Sequence, residues 1–365
     1  MRSGLCTLNQ ADPAAVKEYL VARQIDSSVV DWKYFDSRFN GERERGVVWV
    51  RDNQVAGFLG LIPFRLENDG VCANCAWSCD WSVDPHRAAG VGLLLVQEAR
   101  RLFDGIFNLG GSENTRRILR RMADRTISGA GVSLVLPLRL GSVLARLPGF
   151  IKGPLSRRDT LMQLPLRWVR QPTQNVITIA PGLWPQISSV ADNTPGRAWC
   201  PLYDSEFLAW QFQRCPVITC WSCWVTLESP LRTAAVIWRR RNSKEFWRLA
   251  FCGETTDGDK MKTLMTAIVS FVYSQGCVAL FAVASHRENE LLKLLRRCGF
   301  LRYGSLPLHI MRGRHAAAPM DELIVLNLLD TDLSSEGWLL FSTNDSRPDV
   351  FDAVGSNIQS YRSRR

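Results

Sequence analysis

The residues with the clearest chemical potential lie in one short stretch between an apolar strand and an amphipathic helix. Residues 80–92 read Asp-Trp-Ser-Val-Asp-Pro-His-Arg-Ala-Ala-Gly-Val-Gly. Gly90 and Gly92 leave the backbone open to close approach by a ligand, and Arg87 adds a cation. The first N–H groups of a helix are unpaired and carry the positive end of the helix dipole. The pattern therefore predicts a cradle for an anion such as a pyrophosphate.

Two common phosphate-binding patterns do not describe this stretch. A Walker loop needs Gly-Lys followed by Ser or Thr, and the dinucleotide fingerprint needs Gly-x-Gly-x-x-Gly after the first strand of a parallel unit. This loop instead reads Arg-x-x-Gly-x-Gly and follows a strand that ends at Val83. Both of those nucleotide-binding classes are therefore excluded for this loop.

The string Arg87-Ala-Ala-Gly90-Val-Gly92, placed after Val-Asp-Pro, resembles the R/Q-x-x-G-x-G/A motif of the GNAT superfamily, the acyl-CoA-dependent N-acyltransferases. The order of elements over residues 11–123 is similar to that family as well. The resemblance implies a coenzyme A pyrophosphate held by the backbone amides of Arg87, Ala88, Ala89, Gly90, Val91 and Gly92. It also implies that the Val83 backbone pairs with the pantetheine arm, and that Asn114 contacts the coenzyme near its thiol end.

Amine acylation by a thioester needs a base for the ammonium and an acid for the leaving thiolate. GNAT enzymes often place a carboxylate base on the strand before the cradle, and Asp80 is the only acid in that strand. Asp80 is therefore the candidate base, with a structural strand-end aspartate as the alternative. The acid is often a tyrosine in the helix after Asn114, but residues 114–125 contain none. The general acid stays unassigned.

Strands and helices alternate around this motif and must position it. The predicted elements are a helix over Ala14–Arg23, a hairpin over Val47–Val50 and Val55–Pro63, a strand over Ala73–Val83, a helix over Gly90–Phe103, a strand over Gly105–Leu109 and a helix over Glu113–Ala123. This order predicts an α/β (α+β) fold built on a mixed, mostly antiparallel sheet flanked by helices.

The same order of elements recurs in the second half of the chain. Its predicted elements are Val217–Val225, Thr233–Arg239, Glu245–Cys252, Lys260–Gln275, Val278–Ala284 and Glu288–Cys298. Trp32 lies 25 residues before Gly57 in the first hairpin, and Trp210 lies 25 residues before Ala235 in the second. The repetition predicts two tandem GNAT-like domains, an arrangement similar to FemAB-type proteins.

The predicted boundaries follow from this repeat. Residues 1–130 form an N-terminal domain with the acyl-CoA site, and residues 131–175 form a connector that could include closing strands of the first sheet. Residues 176–365 form the second domain. Its loop at residues 253–260 reads Gly-Glu-Thr-Thr-Asp-Gly-Asp-Lys, and three carboxylates without arginine repel a pyrophosphate. The second domain is therefore predicted to have a degenerate coenzyme loop and to support the acceptor site or the packing.

Charge and composition restrict the partners. The net charge is +10, and residues 86–170 hold fifteen Lys or Arg against five Asp or Glu, which points to an anionic partner. The sequence contains no apolar run of about 18 residues, so no transmembrane segment is expected. No signal peptide is recognised either. The eleven cysteines include Cys220 and Cys223, which a strand would place on opposite faces. We therefore expect the cysteines to be reduced and to bind no metal. Reduced cysteines suggest a cytoplasmic location.

These observations favour an N-acyltransferase that moves an acetyl or other acyl group from acetyl-CoA (acyl-CoA) to an amine. The resemblance implies a small-molecule amine or an amino sugar as acceptor, in polysaccharide synthesis. Two alternatives stay open: a non-catalytic acyl-CoA-binding or scaffold module, and a FemAB-like aminoacyl transferase. Nucleic acid is disfavoured because no platform of interleaved aromatic residues accompanies the basic segment. The acyl chain length and the oligomeric state are left open.

Overall fold

A computed structural model of the chain describes residues 4–39, 43–68, 70–86, 90–111, 113–139, 176–179, 200–202, 205–226, 233–241, 245–253 and 258–314. Its centre is one mixed sheet of thirteen strands flanked by helices. All neighbouring strands in the sheet run antiparallel except two pairs, one in each half of the chain. The predicted fold class is therefore confirmed.

The N-terminal half contains β1 (Gly4–Thr7), α1 (Pro13–Val21), α2 (Ser27–Val30), a π-helical turn (Asp31–Phe35), β2 (Gly46–Arg51), β3 (Gln54–Asn68), β4 (Val71–Val83), α3 (Val91–Leu102), β5 (Gly105–Leu109), α4 (Glu113–Met122) and β6 (Arg125–Pro137). The β2–β3 hairpin turns at Asp52 and Asn53, whose φ angles are 51° and 60°. Positive φ at both central residues is typical of a tight hairpin turn, for which Asn and Asp are well suited.

The C-terminal half contains β7 (Val176–Ile179), β8 (Cys200–Leu202), α5 (Ser205–Leu208), a second π-helical turn (Ala209–Gln213), β9 (Ile218–Thr226), β10 (Thr233–Arg240), β11 (Phe246–Gly253), α6 (Gly258–Ser274), β12 (Ala279–Ser285), α7 (Asn289–Arg297) and β13 (Leu301–Arg312). The elements predicted from β9 to α7 agree with these bounds to within about two residues. β13 was not predicted, and β6 (Arg125–Pro137) overlaps the predicted connector at residues 131–175, for which closing strands of the first sheet were expected.

The last strand of each half lies in the sheet of the other half. The strand order is β1-β2-β3-β4-β5-β13-β6-β12-β11-β10-β9-β7, and β8 pairs with the far end of β3. β13 thus borders β5, β6 borders β12, and the two exchanged strands pair with each other. β6 runs across residue 130, where the sequence placed a domain boundary.

Buried side chains follow this exchange. Met311 of β13 packs in the core beneath α3 and α4, whereas Leu134 and Leu136 of β6 pack beneath α6 and α7. Burying a side chain of this size contributes about 1.5–3 kcal/mol. Each helix-covered core is therefore completed by the other half of the chain.

A third core covers the opposite face of the sheet and belongs to both halves. At its centre the rings of Trp32 and Trp210 stack with centroids 4.5 Å apart. The Trp32 indole N–H donates to the Trp210 carbonyl at 2.8 Å, and the Trp210 indole N–H donates to the Trp32 carbonyl at 3.0 Å. A buried indole N–H usually finds such a partner. The two tryptophans thus bind the halves together reciprocally. We call this side of the sheet the shared face.

The cysteines behave as their strand positions predict. Cys220 packs against the core beneath α6, whereas Cys223 is buried in the core of the shared face, so they lie on opposite sides of β9. In the described ranges, no group of three or more His, Cys, Asp or Glu residues could hold a metal ion. Within the same ranges, no helix has both the length and the apolar composition needed to cross a membrane.

Candidate active site

β4 carries a β-bulge at the candidate base. In the pairing with β3, Phe58 lies opposite Ser82 and Gly60 lies opposite Cys79, so one residue of β3 spans two of β4. Asp80 sits in this bulge with a φ of 46°, an uncommon conformation for a residue other than glycine. Because a bulge re-aims the side chain of its extra residue, Asp80 departs from the ordinary alternation along β4.

The bulge brings Asp80 against the π-helical turn Asp31–Phe35. Lys33 Nζ donates to Asp80 Oδ2 at 2.8 Å, and the Tyr34 hydroxyl donates to the same oxygen at 2.5 Å. The Lys33 side chain is fully buried, while 17% of the Asp80 side chain is exposed. A buried ammonium is costly unless it is paired, so Asp80 compensates Lys33 and is in turn held in one position.

The Tyr34 hydroxyl stays a donor over the physiological pH range. Burial raises its pKa well above the usual value, and the neighbouring Asp80 carboxylate raises it further. Sequence reasoning did not identify Lys33 or Tyr34 as site residues. The available signal was a lysine embedded in the otherwise aromatic segment Trp-Lys-Tyr-Phe.

β4 and β5 separate to leave a wedge in the sheet. Their parallel pairing covers only Cys75–Trp77 with Gly105–Phe107, although β4 continues to Val83. The point of the wedge is held by side chains, since Asn108 Nδ2 donates to the Ser78 hydroxyl at 3.1 Å. Asn108 Oδ1 is buried there, and no hydrogen-bond partner for it lies in the described part of the chain.

The edge of β4 that faces the wedge has backbone groups available for pairing. The Asp84 N–H donates to the Ala56 carbonyl at 2.8 Å, on the β3 side. Because successive residues of a ladder point their N–H and C=O groups to alternate sides, those of Val83 face the wedge. An extended ligand chain could therefore pair with Val83.

Helix α3 begins next to β4, and glycines shape its start. Gly90 precedes the helix with a φ of 82°, and open space surrounds the position that a Cβ there would occupy. A Cβ at Gly92 would instead lie 3.1 Å from the Trp81 ring, so this glycine allows α3 to pack closely on β4. Val91 is buried in the core beneath α3. Since Gly90 has no side chain to cap the first N–H groups, they can bind an anion.

Some of the predicted coenzyme contacts fall outside what the structure describes. Arg87, Ala88 and Ala89 lie outside the described residues. Asn114 lies in the first turn of α4, but its side chain is also outside them. The structure places Asp80 and Val83 on β4, and it places Gly92 of α3 against Trp81 of the same strand.

A histidine from the other half lies next to the point of the wedge. His309 of β13 is directly opposite Asn108 of β5 and is fully buried. Its Nδ1 lies 3.0 Å from the Thr126 hydroxyl. Burial lowers the pKa of His309, and the charges of Arg120 and Arg116 lower it further, which favours a neutral ring. Sequence reasoning missed His309, because only the strand exchange brings β13 to this place.

The C-terminal half has a similar wedge with different surroundings. β11 and β12 pair only over Phe246–Leu249 and Ala279–Ala282, then continue unpaired with each other. Gln211 and Phe212 follow Trp210 where Lys33 and Tyr34 follow Trp32. Of the loop predicted to be degenerate, residues 254–257 lie outside the described part, and Asp259 lies in the first turn of α6.

Neither a protein-family model nor a curated protein sequence matches this chain. Solved structures do match it. A GCN5-related N-acetyltransferase from Anabaena variabilis shares 10% identity with a TM-score of 0.52, over 85% of this chain and 72% of its own. The N-myristoyltransferase of Saccharomyces cerevisiae, solved with bound myristoyl-CoA and inhibitors, shares 11% identity with a TM-score of 0.53, over 84% and 79%.

A third match is an Enterococcus faecalis protein of unknown function, described as a probable N-acyltransferase. It shares 9% identity with a TM-score of 0.52, over 86% of this chain and 71% of its own. At such identities the matches bear on the fold. They show that this chain shares the fold of these N-acetyltransferase and N-myristoyltransferase structures.

Proposed function

We propose that this GNAT-fold chain is an acyl-CoA-dependent N-acyltransferase whose coenzyme binds in the N-terminal half. One observation carries the proposal: the wedge between β4 and β5 leads from the paired strands to the uncapped start of α3. An extended pantetheine arm can pair with the open edge of β4 as an added strand does. A pyrophosphate then reaches the N–H groups around Gly90.

The buried polar atoms of the wedge fit such a ligand. Asn108 Oδ1 accepts no hydrogen bond within the described part of the chain, and a buried acceptor without a partner costs about 1–3 kcal/mol. A pantetheine amide N–H or an ordered water could satisfy it. The residues present therefore suit an acyl-CoA, and we propose acetyl-CoA as the first ligand to test.

Asp80 is the proposed general base. Its Oδ2 is held by Lys33 and Tyr34, which leaves Oδ1 and the exposed part of the side chain to receive a proton from the acceptor ammonium. The free amine then attacks the thioester carbon, the C–S bond breaks, and the thiolate leaves. Fixing the base in one orientation is the contribution expected of the π-helical turn.

Protonation of the thiolate is assigned to water. The described part of α4 contains no tyrosine, and His309 is fully buried behind Asn108.

We further propose that the acceptor is an amine, and amino sugars are among the compounds to test. We also propose that the two halves of the chain originated as two copies of one ancestral unit. The mirrored strand order and the Trp32–Trp210 pair support that origin.

The deciding experiment measures coenzyme binding and thiol release separately. Acetyl-CoA binding is followed by titration calorimetry, and free thiol is followed with a panel of amines that includes amino sugars. Binding together with amine-dependent thiol release supports an acyltransferase. Tight binding without release from any amine would favour a non-catalytic acyl-CoA-binding protein, which the absence of a tyrosine in α4 also favours.

A further inference from the structure

Two arginine side chains of the C-terminal half lie together on the shared face of the sheet. Arg248 of β11 lies opposite Trp238 of β10, whose side chain belongs to the core of the shared face. Arg240 lies two residues beyond Trp238 on the same strand. Arg240 is 9% exposed and Arg248 is 7% exposed, so both guanidinium groups are largely removed from water.

Among the residues that the structure describes, no acid balances the charge of Arg248. Within the described residues, no carboxylate forms an ion pair with it, and its buried Nη1 has no hydrogen-bond partner. Burial, together with the nearby charge of Arg240, lowers the pKa of Arg248 to about 9. The guanidinium is still charged at pH 7. A buried charge of this kind is destabilising unless an opposite charge compensates it.

The unpartnered Nη1 of Arg248 favours an anionic ligand at this place. Burial raises the pKa of Tyr303 to about 12, whereas its hydrogen bond with Ser133 and the nearby charge of Arg248 act to lower it, so the Tyr303 side chain lies near Arg248. Guanidinium groups bind carboxylate and phosphate oxygens through paired, charge-assisted hydrogen bonds. We propose that Arg240 and Arg248 form a binding site for a carboxylate or phosphate group of a ligand, with Tyr303 at its side.

The position of this arginine pair connects it to the proposed reaction. Burial raises the pKa of the Cys215 thiol to about 12, and the charges of Arg240 and Lys33 both act to lower it, so Arg240 and Lys33 both lie near Cys215. If the proposed function holds, the ligand is the acyl acceptor, an amine that also carries a carboxylate or phosphate. The anionic group binds the arginines while the amine faces Asp80.

A first experiment tests the site without reference to acyl transfer. Thermal unfolding of the full chain is measured while inorganic phosphate, and separately acetate, replaces chloride at constant ionic strength. Since a ligand that binds the folded state raises the unfolding temperature, the wild type should be stabilised by at least one of the two anions. Stabilisation by phosphate alone would identify a phosphate site, and stabilisation by acetate would identify a carboxylate site.

Two variants sharpen this measurement. Arg248→Met keeps an unbranched apolar stem but removes the guanidinium, so it should weaken anion binding about tenfold or more. The control variant is Arg239→Met. Arg239 comes immediately before Arg240 in β10, but it packs over the Trp247 ring on the face of the sheet opposite the shared face. Its loss should leave the stabilisation by the anion unchanged. A wild type that responds to neither anion, or an Arg248→Met variant that responds like the wild type, would overturn the site.

A second experiment tests the link to the acceptor. Arg248→Met should raise KM about tenfold or more for amines that carry a carboxylate or phosphate, but not for neutral amines or acetyl-CoA. An equal rise for neutral amines would overturn the link. If the wild type does not bind acetyl-CoA, the proposed function fails, while the anion response of the first experiment still decides the site.

Discussion

The two halves of this molecule share a backbone plan but differ in the side chains that could do chemistry. In the N-terminal half, Lys33 and Tyr34 hold Asp80 at the bulge of β4. In the C-terminal half, Gln211 and Phe212 follow the equivalent tryptophan, and Phe212 packs edge-on against Trp238. A polar cluster in one half is thus matched by aromatic packing in the other. Both halves therefore have the same wedge in the sheet, and a few side chains next to it make the two wedges chemically different.

The helices that begin after the two wedges, α3 and α6, also differ in the charge of their first turns. The first turn of α3 contains no acidic residue, whereas that of α6 contains Asp259. A carboxylate in the first turn stabilises a helix by about 0.3–1 kcal/mol and repels a second anion. The start of α6 is therefore already compensated by its own sequence, whereas the start of α3 has no acidic residue to compensate it.

The largest effect should come from placing an acid at the start of α3. Gly90→Glu puts a carboxylate where the pyrophosphate is proposed to bind, at a φ of 82° that suits glycine. Acetyl-CoA binding measured by titration calorimetry should fall from one site per chain to none. Gly258→Glu at the start of α6, where a Cβ also meets open space, is the matched control and should retain the site. Two sites in the wild type would remove the asymmetry altogether.

The next largest effect should come from the base. Asp80→Asn keeps the shape of the side chain but cannot accept the proton, so thiol release should slow about 10²–10⁴-fold. Coenzyme affinity should barely change, because the loss falls on the chemical step. Calorimetry and a thiol assay on the same preparation separate the two quantities. A variant that turns over at the wild-type rate would return Asp80 to a structural role.

Arg87→Ala should have a smaller effect on binding. If this cation contacts the pyrophosphate, its loss costs about 1.5–3 kcal/mol, or roughly 10- to 150-fold in the Kd of acetyl-CoA. The difference should shrink as salt increases, because screening weakens exposed charge interactions. Lys260→Ala, in the corresponding stretch of the other half, should leave the Kd unchanged. Equal affinities of wild type and Arg87→Ala would mean that backbone amides alone suffice.

The smallest effect concerns the pH dependence of stability. The pKa of Tyr34 is raised above its ordinary value near 10, so above pH 10 the folded chain retains a proton that the unfolded chain releases. The free energy of unfolding should therefore fall by up to about 1.4 kcal/mol per pH unit as the pH rises from about 10. Tyr34→Phe should remove this part of the slope in denaturant titrations. Identical slopes in the two proteins would place Tyr34 in a wetter environment than its contacts indicate.

Local patterns predicted much of the fold. The hairpin turn at Asp52 and Asn53 and the opposite faces of Cys220 and Cys223 depend on neighbouring residues alone, so the sequence shows them directly. The exchange of β6 and β13 joins segments that lie far apart in the chain, and no local periodicity records such a pairing. Their alternation is also interrupted, since the β6–β13 register shifts twice.

The candidate site also combines residues that a local pattern shows with residues that only the fold brings near. The glycines and Asp80 could be found because they lie within thirteen consecutive residues. Lys33 and Tyr34 reach Asp80 only through a π-helical turn and a bulge, and both are departures from the regular periods on which sequence patterns depend. Arg248 lies in a strand otherwise rich in apolar residues, where an isolated charge gave no indication of its burial.

The exchange of β6 and β13 also sets the order of events during synthesis. β5 gains its second neighbour only after residue 312 has left the ribosome, since β13 (Leu301–Arg312) is that neighbour. Until then the nascent N-terminal half exposes an unpaired strand edge and lacks Met311 in its core, a state prone to aggregation. Pairing between segments so distant in the chain is slow to form. The completed sheet should therefore assemble after translation of both halves, in a single late step.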